Sequence, residues 1–306
     1  MKKIIVVCGP TASGKTDFAH YLAKKNRGEI VNGDSMQIYR QIPIITASPS
    51  PALKEEIPYH LYNFLDIEQE FSVTKYVQLA VKIIKEINNR GNLPIIVGGT
   101  GMYINALLYG YSQIPTISPQ IRSITRELQD EIGQVEFFKR LTILDPLAKN
   151  NLNIFDKQRC LRAYEVVMQT GKSIFTFQAT KDFIPLPEFA SNVFFLYPER
   201  SFLYLSCNNR LKAIFKQGAI EEISRIQRNN ANNIPTSALR AIGVQEIMAY
   251  LDNKTTLDMA MECSQNKTRQ YAKRQITWFK NQIKDKLTLE YSSYEEFKKL
   301  IENFIL

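Results

Sequence analysis

The chain is 306 residues long, 44% hydrophobic and 23% charged, which fits one large or two ordinary globular domains and excludes disorder over most of its length. No run approaches the ~18 apolar residues of a membrane span, and the apolar stretch at residues 4–8 is too short for a secretory signal. The formal net charge is +9, and residues 200–286 carry 15 Lys or Arg against 7 Asp or Glu, a concentration that fits a nucleic-acid or other polyphosphate partner or a soluble helical surface.

Residues 3–8 form a continuous β-branched run, followed at once by a Gly-rich turn and a helical stretch over Lys15–Asn26. This is the pattern of a buried parallel strand feeding a helix. Residues 29–32, 94–97 and 193–197 read as further strands, and Val73, Val77, Ala80, Ile84 and Ile87 recur at helical steps. Between residues 117 and 188 the strand signals stop, and helices are predicted over 118–132, over 134–144 beyond Gly133, and over 157–170 ending at Gly171. Because a strand pattern resumes at 193, the helical block reads as an insertion, with Pro115, Pro119, Pro185 and Pro187 at its hinges. The fold class is therefore α/β, a parallel-sheet core of residues 1–114 and 191–306 around a helical domain of 115–190. Everything after 203 reads as helical: 203–217, 219–229, 245–251, 256–283 and 294–304.

Gly9-Pro10-Thr11-Ala12-Ser13-Gly14-Lys15-Thr16 satisfies GxxxxGK[ST] and lies between a hydrophobic strand and a helix, where a phosphate-binding loop must lie. Its backbone N–H groups would cradle a diphosphate, Lys15 would neutralise charge, and the Thr16 hydroxyl would ligate Mg²⁺. Asp34 follows the second strand, and strand C-termini of a parallel sheet converge on the edge where that loop also lies. It is the leading acid or base; a helix cap is the alternative. Gly98-Gly99-Thr100-Gly101 follows the third strand and should reach the same edge, making Thr100 a candidate ligand or simply part of a turn. His60 reads as structural.

Gln158 and Arg162, four apart, share a helical face with Arg159 nearby, which suits phosphate and base contacts or a solvated surface. Near the C-terminus Ala272, Ile276, Phe279 and Ile283 make an apolar stripe, flanked by Arg269, Lys273, Lys280 and Lys284. One side of that helix should pack on the core while the other offers cations; Trp278 and Phe279 read as core. Four cysteines without a CxxC pair and only two histidines make no zinc site and fit a reduced, cytoplasmic compartment.

Taken together, GPTASGKT at 9–16, DSMQIYR at 34–40, FSV at 71–73, PIIVGGTGMYI at 94–104, QRCLRAYEV at 158–166, RAIGVQE at 240–246 and TRQYAKRQITWF at 268–279 resemble the tRNA dimethylallyltransferase family, of the bacterial type without a zinc finger. The resemblance spans nearly the whole chain. It implies a P-loop NTPase-like core, dimethylallyl diphosphate rather than ATP on the P-loop, Mg²⁺, and a tRNA anticodon stem-loop as the partner of a cytoplasmic monomer. The reaction implied is prenylation of N6 of the adenosine 3′-adjacent to the anticodon. Asp34, Lys15 and Thr16 become catalytic, and residues Gly9, Pro10, Thr11, Ala12, Ser13, Gly14, Lys15 and Thr16 with Arg210 hold the diphosphate. Asp34, Ser35, Met36, Gln37, Thr100, Arg122, Gln158, Arg159, Cys160, Leu161 and Arg162 are assigned to the tRNA. The sequence departs from the family before Gln158, where Leu152-Asn153-Ile154-Phe155-Asp156 keeps only the aspartate, and at Tyr59-His60 in place of a double histidine. Rivals are an adenylate isopentenyltransferase, which would not use the basic last third, and an ATP-dependent small-molecule kinase, which leaves GGTGMY and TRQYAKRQ unexplained.

Overall fold

The computed structural model describes residues 2–180, 183–229 and 238–304. Its sheet is built from β1 (Lys2–Cys8), β2 (Gly28–Asn32), β3 (Tyr59–His60), β4 (Leu93–Gly98), β5 (Phe189–Pro198) and β6 (Lys286–Tyr291), in the order β3-β2-β4-β1-β5-β6 with every pair parallel. In chain order the helices are α1 (Lys15–Asn26), α2 (Pro51–Glu56), α3 (Val73–Asn89), α4 (Gly101–Tyr109), α5 (Pro119–Leu144), α6 (Ala148–Asn151), α7 (Lys157–Thr170) and α8 (Ile174–Ala179). They are followed by α9 (Arg200–Ile214), α10 (Ile220–Asn229), α11 (Val244–Leu251), α12 (Leu257–Gln282) and α13 (Tyr294–Glu302).

Central strands need apolar residues on both faces, and β1 supplies them: Ile4, Ile5, Val6, Val7 and Cys8 are all buried. On one face Ile5 and Val7 pack with Phe18 and Leu22 of α1 and with Phe297 of α13. Register then fixes the site. Cys8 lies beside both Gly98 and Phe195, and Asn32 beside Val97, so β1, β2, β4 and β5 end at one edge. The loops beginning at Gly9, Gly33 and Gly99 all leave from that edge.

The chain divides into two compact units, Met1–Leu108 with Pro185–Leu306, and Tyr109–Ile184. The second begins six residues before Pro115 and ends at Ile184, next to the Pro185 hinge. It is helical, built around Phe137, Leu141, Cys160, Ala163 and Val166 from α5 and α7. Gly133 breaks α5 with φ 74° and ψ 165°, a conformation that divides the long run where the sequence places a gap. In the first unit, Ile38, Ile42 and Ile45 of the segment after β2 pack on Leu211, Ile214, Ile223 and Ile247, so this segment has a core of its own.

Two strands depart from the sequence reading. β6 lies within the stretch read as wholly helical; it pairs with β5 from Val193↔Lys286 to Pro198↔Tyr291 and buries only Leu289 and Tyr291. An edge strand with one covered face carries too few apolar positions to announce itself. β3 is two residues long and pairs Tyr59 and His60 with Ile30 and Val31. No described helix is long and apolar enough to cross a membrane.

Candidate active site

Left-handed conformations at Ala12 (φ 61°) and Gly14 (φ 73°) curl the loop after β1 so that it leads into α1. Gly14 has a second constraint: a Cβ there would lie 2.4 Å from the Phe297 ring. The Tyr291 hydroxyl donates to the Ser13 carbonyl, and the Thr11 amide donates to Gln275 Oε1 at 2.8 Å. Lys15 Nζ donates to the Pro10 carbonyl. Ser13 Oγ is buried and has no hydrogen-bond partner among the described residues. A loop this firmly braced, with an unsatisfied hydroxyl and a helix N-terminus, is preorganised to receive oxyanions.

The loop forms one wall of a cavity of about 790 Å³, a volume suited to a small ligand and a base together. Asp34, Ser35, Met36 and Gln37 line it opposite, joined by Arg210. Ile45, Leu53, Leu211 and Ile214 add an apolar wall. The site therefore combines anion-binding groups, a carboxylate and a greasy surface.

The electrostatics of the cavity suit an anion. Burial pushes the Lys15 pKa down to about 8, helped by repulsion from Arg210 and resisted by Asp34. Arg210 is likewise lowered by burial, with Asp34 pulling the other way. Its Nη1 donates to Thr11 Oγ1 at 3.2 Å. A diphosphate between the two cations would favour the charged form of each.

Asp34 does not cap a helix. Its Oδ1 accepts from the Met36 amide at 2.9 Å in a turn, while its own amide donates to Asn32 Oδ1 at 2.8 Å. Asn32 is fully buried and also donates to the Leu61 and Asp34 carbonyls. Thr100 Oγ1 accepts from the Ser35 amide at 2.9 Å and donates to Ser35 Oγ at 3.1 Å, so its hydroxyl fixes the Asp34 turn. Gln37 Nε2 donates to the Thr46 and Ala47 carbonyls, closing the segment over the cavity.

The remaining sequence candidates lie on the helical unit. Gln158 and Arg159 are exposed near the start of α7, whose N-cap Asp156 takes the Arg159 amide and pairs with its guanidinium at 3.3 Å. Arg162 pairs with the buried Glu165 at 3.4 Å, and Arg122 lies in the first turns of α5. The Cys160 side chain is fully buried, donates to the Asn153 carbonyl at 3.5 Å and anchors α7 in the unit's core. Leu161 packs against the same core.

The basic helix is only partly as expected. Phe279 is buried, and Trp278 packs against Gly101. Arg269 is engaged by Asn208 and Asn266, and Lys280 lies over the Tyr197 ring at 4.6 Å. Lys273 and Arg274, both exposed, line a groove on the helix surface with Gln270 and Asn281. His60 is structural, its Nε2 at 2.6 Å from the buried Glu29 carboxylate. Burial pushes that carboxyl up, but hydrogen bonds from Arg90, Asn92 and His60 outweigh it and hold the pKa at about 2. All four cysteines are free thiols.

Gln275, Tyr271 and Asn32 were not singled out from the sequence. Gln275 carries the clearest signal, since it sits three after Ala272 and four before Phe279, a polar residue inside the apolar stripe.

A sequence model of the IPP transferase family matches residues 37–282, and one for isopentenyl transferases matches 2–66. The chain belongs to the IPP transferase family. Among IPP transferases, the tRNA dimethylallyltransferase of Rickettsia rickettsii is 54% identical over 302 residues, covering 99% of this chain and 83% of its own. That of Rickettsia prowazekii is 51% identical, with 99% and 97% covered. The crystal structure of the tRNA isopentenylpyrophosphate transferase of Bacillus halodurans superposes with TM-score 0.68 at 30% identity, covering 99% of this chain and 94% of that one. A eukaryotic dimethylallyltransferase captured acting on tRNA superposes with TM-score 0.80 at 26% identity, covering 97% and 76%. The core is thus the P-loop NTPase-like fold of this family.

Proposed function

We propose that the chain transfers the dimethylallyl group of dimethylallyl diphosphate to N6 of the adenosine 3′-adjacent to the anticodon of tRNA. One observation carries this: a P-loop with two poised cations shares its cavity with the Asp34 carboxylate and an apolar wall. The apolar wall beside the phosphate site suits a prenyl tail. The curated relatives are named tRNA dimethylallyltransferases.

In this reading the diphosphate lies on the amides of residues 11–16 between Lys15 and Arg210, with Ser13 Oγ as a further donor and the prenyl tail against Ile45, Leu53, Leu211 and Ile214. The N6 nitrogen attacks C1 of the allyl group, the C1–O bond breaks, and its electron pair leaves on the diphosphate. The N6 proton passes to Asp34, whose Met36 hydrogen bond holds the carboxylate in place. Lys15 and Arg210 stabilise the charge that develops on the leaving oxygen.

The donor set fits Mg²⁺. Thr16 lines the cavity beside Lys15, and its hydroxyl is a hard oxygen donor that would hold the ion together with substrate phosphate oxygens and water. When bound, Mg²⁺ would neutralise charge on the departing diphosphate. The helical unit would hold the anticodon stem-loop through Arg122, Gln158, Arg159 and Arg162. An anticodon-loop adenosine is already single-stranded, so moving it from its stack costs little. The enzyme would work as a cytoplasmic monomer, one chain supplying the complete cavity.

The test is incubation with radiolabelled dimethylallyl diphosphate, Mg²⁺ and either bulk tRNA or AMP. Label in tRNA supports the reading; label confined to AMP overturns it.

A further inference from the structure

Gln275 lies in the middle of α12, 5% exposed, and its amide is hydrogen-bonded at both ends. Oε1 accepts from the Thr11 amide at 2.8 Å, and Nε2 donates to the Gly99 carbonyl at 2.8 Å. One side chain therefore spans two loops that leave different strands of the sheet, the P-loop after β1 and the turn after β4. The approach to the second is so close that a Cβ at Gly99 would lie 2.4 Å from Gln275 Nε2 and 3.3 Å from Asp34 Oδ2. From Gly99 the path continues through Thr100, whose hydroxyl holds Ser35 beside Asp34. Tyr271, one turn earlier on α12, is within hydrogen-bonding reach of both Thr100 and Gln275.

We propose that Gln275 is a positioning residue for the transfer step, fixing the distance between the donor loop at Thr11 and the acceptor turn that carries Asp34. The proposal rests on the reading of this cavity as a prenyl-transfer site. The two reactants are held by different loops: the diphosphate by the P-loop, the accepting amine by the Asp34 turn. In-line attack needs the amine nitrogen and the allylic carbon near van der Waals contact, and a displacement of ~1 Å costs about 100-fold in rate. Loops can each keep their ligand while losing that mutual registration. An amide suits the task because it offers an acceptor to one loop and a donor to the other, with no charge to desolvate.

Three variants separate positioning from bulk packing. Gln275→Glu keeps the acceptor for Thr11 and sets a carboxylate oxygen against the Gly99 carbonyl; protonating it restores the donor. Gln275→Asn keeps both groups on a stem one methylene too short to reach both loops. Gln275→Leu fills the volume and loses both bonds. Each is compared with wild type by single-turnover transfer to an anticodon stem-loop, by affinity for dimethylallyl diphosphate and for the stem-loop, and by thermal melting. The charged and titratable groups around position 275 are Asp34, Tyr271 and Arg274, with Lys15 and Arg210 on the far side of the P-loop; all are present in every variant, and the wild-type pH profile over the same range gives their contribution.

The expected result is a rate about tenfold or more lower in all three, with both affinities within about threefold of wild type in every variant that melts above the assay temperature. The Gln275→Glu rate should also rise relative to wild type as pH falls from 8 to 6, while Gln275→Asn shows no such recovery. Folded Gln275→Asn with a rate within twofold of wild type overturns the proposal. So does a loss in which affinities and rate fall together without pH recovery in Gln275→Glu, since that marks a packing role. Failure of wild type to label the stem-loop would instead defeat the reading of the reaction.

Discussion

The Tyr291 hydroxyl donates to the Ser13 carbonyl at 2.5 Å, so the last strand of the sheet holds the phosphate-binding loop from behind. Phe297, on the helix that follows, closes against Gly14 in the same loop. Tyr291→Phe keeps the ring and removes the bond, which should cost about 1 kcal/mol of stability. The loop would lose one of its braces, and the KM for dimethylallyl diphosphate should rise about fivefold, with tRNA affinity unchanged. Steady-state kinetics with each substrate varied in turn checks this.

Lys15 supplies a pH dependence with a definite sign. Its folded pKa is lowered to about 8, so its charge is present below that value and lost as pH rises through it. Binding of dimethylallyl diphosphate without tRNA should therefore weaken above pH 8. Lys15→Met should bind about tenfold or more weakly below pH 8, the loss of a charged hydrogen-bond partner, and should lack the alkaline decline. Calorimetric titration between pH 7 and 9.5 measures both.

On α12 the structure separates cations that the sequence treats alike. Lys273 and Arg274 are exposed along a groove, whereas Lys280 covers Tyr197. The Lys273→Gln variant should weaken tRNA binding and flatten its salt dependence by about 0.7–0.9 in log–log slope. Its melting temperature should hold, as for other surface substitutions. Lys280→Gln should leave the slope nearly intact and lose about 0.5–1 kcal/mol of stability with its ring contact. Filter binding at several salt concentrations, with thermal melts, tells them apart.

What the sequence revealed follows from how each element is coded. β1, the P-loop and α1 carry a dense local signal: a β-branched run, a glycine motif and a helical stretch in succession. Asp34, Thr100 and Arg210 were legible because parallel strands deliver their following loops to one edge, or through family resemblance. β6 was not, because Leu287 is exposed and only Leu289 and Tyr291 face inward, leaving no run to detect. Gln275 was visible only as a polar interruption of an apolar stripe, and its partners, Thr11 and Gly99, lie 264 and 176 residues away. Such long-range pairing belongs to the fold and is not encoded in any window of the chain. The engagement of Arg269 by Asn208 was hidden for the same reason.

In the proposed reaction Asp34 receives the N6 proton of an adenosine brought against the diphosphate on the P-loop. The most direct measurement is the single-turnover rate of prenyl transfer at saturating tRNA and dimethylallyl diphosphate for wild type and Asp34→Ala, with tRNA affinity measured alongside. A positioned base contributes about 10²–10⁴ to rate, so transfer should slow at least ~100-fold while tRNA affinity stays within a few-fold. A near wild-type rate in Asp34→Ala would remove Asp34 from the proton transfer.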